Sequence, residues 1–216
     1  MISNSKKLIY SIVISLLLMT SMLSAAFFVT PAEAKPKVDD QVFHDDMRKL
    51  WEDHITWTRL VIVSLANELP DTQTTVDRLL QNQVDIGDAV KPFYGEAAGD
   101  QLTALLKDHI VIAADVILAA KAGDTAAFDA ALARWYENAD DIAAFLNAAN
   151  PKNWPFEEMS EMMREHLDLT LLEAGTYLGG DFAASVAAYE DVHVQALEMA
   201  DMLSNGIIRQ FPSKFK

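Results

Sequence analysis

Three of the five histidines, His54, His109 and His166, recur 55 and 57 residues apart, and each directly follows an acid: Asp53, Asp108 and Glu165. Each also has apolar residues three, four and seven positions earlier, the spacing of one helix face: Trp51, Leu50 and Met47; Leu106, Leu105 and Leu102; Met163, Met162 and Met159. The pattern predicts three imidazoles turned inward. Buried imidazoles serve as hydrogen-bonded spacers or as ligands. As ligands, neutral imidazoles suit zinc, copper and iron, in a bare metal site or a haem site built between facing helices.

The elements that must position these rings are helical. The eight glycines and seven prolines fall mostly where a 3.6-residue apolar pattern breaks. The pattern predicts six helices, near Asp39–Leu69, Thr72–Val90, Gly99–Ala120, Thr125–Asn147, Glu157–Leu178 and Phe182–Arg209. Asp71, Asp124 and Asp181 follow Pro70, Gly123 and Gly180, placing helix-opening aspartates in three tight hairpin turns. Lys91–Gly95 and Asn150–Pro155 are expected to be longer connections whose aromatics cover one end of the molecule.

The hairpins are related. Asn82-x-x-Asp85-Ile86-Gly87 matches Asn138-x-x-Asp141-Ile142-Ala143, and Arg78 matches Arg134; the nearest counterpart in the third hairpin is the stretch from Tyr189 through His193 to Glu198. A period of about 56 residues over three units favours a closed all-α bundle of three hairpins over a solenoid. Measured from its turn, His109 lies level with Asn138 and His166 with His193, whereas His54 and Asn82 are level only if the first turn is displaced. The expected layer is thus His54, Asn82, His109, Asn138, His166 and His193, with Glu173 two turns beyond His166 on the same face. His44 lies outside it. Asp85, Asp141 and Glu198 are candidate outer partners of the histidines.

Three uses of this layer stay open. In the first, His54–Asn82, His109–Asn138 and His166–His193 are satisfied pairs that only fix helix register. In the second, His54, His109, His166 and His193 hold zinc, copper or iron. In the third, a small apolar ligand lies between the helices. The nine methionines fall at core spacing, apart from those in the leader. No nucleophile elbow, phosphate-cradling loop or dinucleotide fingerprint occurs, and the expected role is binding rather than catalysis.

Lys6 and Lys7, an apolar run from Leu8 to Val29 and the small-residue site Ala32-Glu33-Ala34 read as an export signal over residues 1–34, placing a single domain, 35–216, outside the cytoplasm. A retained signal would anchor the chain in a membrane. Cleavage leaves 182 residues with 15 basic and 31 acidic side chains, a net charge of −16. Such a charge repels phosphate backbones and excludes nucleic acid as a partner. Cysteine is absent, which excludes disulfides, thiolate metal sites and cysteine nucleophiles.

At Asn82 through Gly95, Leu105-Leu106-x-x-His109-Ile110 and Asn150-Pro151-x-Asn153-Trp154-Pro155, the chain resembles a family of uncharacterised exported proteins of bacilli and related bacteria, over most of the mature length. Members carry inconsistent enzyme labels, glycosyltransferase and acetylglutamate kinase among them. Neither label fits a chain without an α/β pattern, so the resemblance implies export and a helical domain and no activity.

Overall fold

The structure, a computed structural model, describes residues 37–216; the predicted signal segment lies outside them. Six helices make up the described chain: α1 (Asp40–Asn67), α2 (Thr72–Tyr94), α3 (Glu96–Ala122), α4 (Thr125–Ala149), α5 (Phe156–Leu178) and α6 (Phe182–Gln210), followed by a single 3₁₀ turn, Pro212–Lys214. None of these helices is long and apolar enough to cross a membrane.

Local chemistry sets the ends. Asp124 and Asp181 accept hydrogen bonds from Ala127 N and Ala184 N, each at 3.0 Å, and so start α4 and α6 as expected. Asp71 stands at the N-cap of α2, but its side chain accepts no bond from the helix. Its carboxylate instead takes a bond from Ser64 Oγ at 3.0 Å, because α1 has already ended at Glu68, which adopts the left-handed conformation (φ 53°). The first turn is therefore centred ahead of Asp71, as the level of His54 and Asn82 requires. The expected long connection after Val90 shrinks to one residue. α2 continues through Pro92 to Tyr94, and Gly95 (φ 89°) makes the turn alone.

Each helix packs against its neighbours in sequence, and α6 packs back on α1, which closes the ring. The odd-numbered helices α1, α3 and α5 also touch one another. The molecule is a closed bundle of three hairpins in which the first helix of each reaches the centre. Those are the helices that carry the three histidines.

At one end, Val38 N donates to Lys214 O (2.8 Å) and Lys216 N to Val38 O (3.1 Å), tying the two ends of the domain together. Phe93 stacks on Phe215 with ring centres 5.3 Å apart, and Tyr94 meets Trp154 and Phe211. The aromatics of both connections do cover this end.

Candidate functional site

His54, His109 and His166 are all buried. His166 neighbours both of the others, its ring centre 5.7 Å from that of His54 and 6.3 Å from that of His109. Successive hairpins thus deliver their imidazoles to one depth of the bundle.

A side-chain amide from the second helix of each hairpin orients the ring. Asn138 Nδ2 donates to Leu105 O (3.1 Å) and Gln195 Nε2 to Met162 O (3.0 Å), in each case the carbonyl four residues before the histidine. A carbonyl only accepts, so the amide nitrogen must face it and the amide oxygen must face the ring. Asn138 Oδ1 lies 2.8 Å from His109 Nδ1, and Gln195 Oε1 lies 3.1 Å from His166 Nδ1. The hydrogen therefore sits on Nδ1 of both rings, and Nε2 keeps its lone pair.

The first hairpin follows the same plan more loosely. Asn82 Nδ2 donates to Leu50 O at 3.0 Å, again four residues before the histidine. The Asn82 oxygen accepts from Gln83 Nε2 (3.1 Å), whose other strong bond goes to Leu79 O (2.9 Å). That nitrogen also lies 3.3 Å from His54 Nδ1; an amide NH₂ only donates, so this contact does not place a hydrogen on His54 Nδ1 as the oxygens of Asn138 and Gln195 do on the other two rings.

Burial keeps all three rings neutral. It lowers His109 to about 3 and His166 to about 4, and the neighbouring His166 would further oppose a charge on His109. His54 is held well below its ordinary value, first by burial and then by the other two rings.

One of the expected ligands is placed elsewhere, and the outer acids with it. His193 is not part of the layer: its Nε2 lies 2.6 Å from Glu52 Oε2, half-buried where α6 meets α1, with Tyr189 stacked on its ring. The partner of His166 is Gln195. Its signal was present, because Gln195-x-x-Glu198-Met199-Ala200 repeats the Asn-x-x-Asp-Ile-Gly/Ala pattern and stands 29 residues after His166, as Asn138 does after His109. Glu173 is buried two turns beyond His166, as its spacing implies, where its Oε1 lies 3.0 Å from Arg59 Nη1. Asp141 and Glu198 are exposed, while Asp85 binds Gln81 (2.9 Å) and approaches Arg78. The amides occupy the ring positions these acids were expected to serve. His44 lies outside the layer, its Nε2 3.1 Å from Asp201.

The layer divides the core. Met47, Trp51, Leu106, Met159, Met163 and Met199 help line an apolar cavity of about 30 Å³ on the side of residues preceding the histidines. Val61, Ile62, Ile110, Val116, Trp135 and Ala174 help line a second, also about 30 Å³, on the side of residues following them. The methionines fill core space as their spacing implied. Among the described residues, no three His, Asp or Glu side chains stand close enough, as placed, to hold a metal ion. Comparison with family models, curated proteins and solved structures finds no match.

Proposed function

We propose that this is an exported, acidic binding protein that takes one transition-metal ion, of the zinc, copper or iron class, at Nε2 of His54, His109 and His166. One observation carries the reading: imidazoles from three repeats meet, and in His109 and His166 the Nδ1 hydrogen is held by an amide oxygen, which leaves the Nε2 lone pairs of those two rings free. Metal-bound histidines are commonly held in this way, the far ring nitrogen donating to an oxygen that fixes tautomer and orientation. Low proton affinity favours the same role, since a metal must otherwise displace a proton. Three imidazoles sharing one ion through Nε2, at about 2.0–2.1 Å each, have ring centres roughly 5–5.5 Å apart. The separations of 5.7 and 6.3 Å mean that the rings must draw together on binding. His193 is not a ligand in this reading.

A second reading has its own support. The bonds from Asn82, Asn138 and Gln195 to Leu50, Leu105 and Met162 pin the two helices of every hairpin in register whether or not an ion binds. Metal analysis of protein purified without an affinity tag separates the two. Stoichiometric zinc, copper or iron that is lost in His109→Ala supports the metal site. Protein that neither carries nor takes up these ions, and melts identically with and without chelator, leaves only the register role.

A further inference from the structure

Asn138 and Gln195 turn an oxygen toward their histidines, whereas Gln83 turns a nitrogen toward His54. The neighbours of Gln83 fix that orientation. Asn82 Nδ2 is bonded to Leu50 O, which makes the other terminal atom of Asn82 an oxygen, and Gln83 Nε2 donates to that oxygen (3.1 Å) and to Leu79 O (2.9 Å). Turned over, Gln83 would set an oxygen against two oxygens. It keeps its nitrogen there although its own Oε1, buried, has no donor among the described residues. Native cores rarely leave an acceptor in that state without a reason.

We infer that Gln83 holds His54 in the opposite tautomer to His109 and His166, with its hydrogen on Nε2, and so makes His54 the last of the three ligands to join an ion. This deepens the metal reading and rests on it. An amide nitrogen donates and cannot accept, so His54 Nδ1 faces it as a bare nitrogen. The ring is neutral through burial and must then carry its one hydrogen on Nε2. That hydrogen occupies the lone-pair position an ion needs. His109 and His166 offer Nε2 ready for metal, and His54 does not. Its other partner is at hand: Asn82 Oδ1, the counterpart of Asn138 Oδ1, stands beside the same ring. When an ion takes Nε2 of His54, the hydrogen there is lost and one is taken up at Nδ1, where the Asn82 oxygen accepts it. The ring is neutral before and after, and no net proton is released. Two rings are thus fixed as ligands, and Gln83 sets the cost of recruiting the third.

Nitrogen-15 spectra of the histidine rings in tag-free protein read the tautomers directly, because a ring nitrogen that bears hydrogen and a bare one resonate far apart. His54 is identified by its contact with Trp51 and His109 by its contact with Trp135, ring centres 5.6 and 5.3 Å apart. In metal-free protein the expected result is hydrogen on Nε2 of His54 and on Nδ1 of His109 and His166. Added zinc or copper(I), neither of them paramagnetic, should move the His54 hydrogen to Nδ1 and leave the other two in place. Gln83→Met keeps the bulk and removes the donor. It should show His54 with Nδ1–H before any metal is added, and bind zinc roughly threefold to tenfold more tightly, the worth of one hydrogen bond. Hydrogen on His54 Nδ1 in unaltered metal-free protein overturns the inference and leaves the metal reading standing. A bound ion with His54 unchanged, or a zinc affinity in Gln83→Met that is unchanged or weaker, overturns it too. Protein that takes up neither ion overturns the metal reading and this inference with it. Should Gln83→Met fail to fold, the spectra of the unaltered protein decide alone.

Discussion

Gln195 stands to His166 as Asn138 stands to His109. Each amide lies 29 residues after its histidine, faces its oxygen to Nδ1, and donates its NH₂ to the carbonyl four residues before the ring. The equivalence holds although one side chain is a methylene longer. It makes the layer a product of the repeat rather than a chance meeting of three rings.

The first expectation concerns these amides. Asn138→Leu leaves the His109 Nδ1–H without its acceptor and takes from Leu105 C=O its second bond, the helical one remaining, and Gln195→Leu does the same to His166 and Met162. Each stranded buried group costs about 1–3 kcal/mol, so both variants should lose at least that much in urea unfolding. Asp141→Ala and Glu198→Ala, at exposed positions one turn further along the same helices, should stay within about 0.5 kcal/mol of the parent. Equal losses in the two pairs would mean that the amides do no more than the surface acids.

The helices, the hairpin repeat and the depth of the three histidines were legible because each rests on periodicity, and burying an apolar stripe is what folding must satisfy. Identity misled where geometry decides. His193 is chemically the more attractive neighbour for His166, but it precedes Gln195 by two residues, about 200° around the helix, which turns it away from the axis toward Glu52. Pro92 signals a stop, since a proline in the last turn lacks the N–H that would reach Asp88 C=O, yet α2 runs two residues past it. Asp71 resembles Asp124 and Asp181 in sequence and does stand at the N-cap of its helix, but its carboxylate is engaged by Ser64 Oγ and not by the helix's own N–H groups. The pairing of Arg59 with Glu173 joins α1 to α5 across 114 residues, and no local pattern announces it.

Acid should weaken the fold through the histidines. Their folded-state values, about 3 for His109, about 4 for His166 and well below the ordinary value for His54, lie under the unfolded value near 6.5. The unfolded chain thus binds more protons between those limits, and stability present above pH 6.5 is lost as the pH falls through them. Glu173 acts oppositely: burial raises it from 4.5 to about 7, so its contribution is full below pH 4.5 and is lost as the pH rises through 7. In Glu173→Gln the histidine effect should stand alone from pH 7 to 5, above the ordinary carboxylate range, at up to about 1.4 kcal/mol per pH unit for each ring once below 6.5. Urea midpoints at four pH values in that interval measure it, and a flat profile would show that the rings are not buried as neutral groups.

The Arg59–Glu173 pair should be worth more as a pair than either residue alone. Arg59 Nη1 lies 3.0 Å from Glu173 Oε1 and 2.6 Å from Ser185 Oγ, and its guanidinium packs over Tyr177. Arg59→Met strands a buried carboxyl, a loss of about 3–5 kcal/mol at neutral pH when a charge is left unpaired. The carboxyl can escape part of that cost by taking up a proton, so the loss should shrink on acidification. Arg59→Met combined with Glu173→Leu removes the stranded group and should recover most of the deficit. Additive losses in the double variant would rule out coupling between the two.

Gly206 should not tolerate a methyl group. It lies in α6 where Trp154, buried beneath the aromatic end of the bundle, crosses the helix backbone. A Cβ at this position would overlap the Trp154 indole at Nε1 and Cε2, and the ring has little room to retreat, because its Nε1 is bonded to Met202 O (3.3 Å) and its face meets Tyr94. Alanine is ordinarily the better helix former by about 1 kcal/mol, so propensity alone predicts stabilisation by Gly206→Ala. Overpacking a close contact costs about 1–3 kcal/mol and reverses the sign. Gly175, on α5 with nothing near its would-be Cβ, is the control: Gly175→Ala should raise the melting temperature while Gly206→Ala lowers it. A rise in both would show that Trp154 can move aside and that the end of the bundle is packed less tightly than its contacts imply.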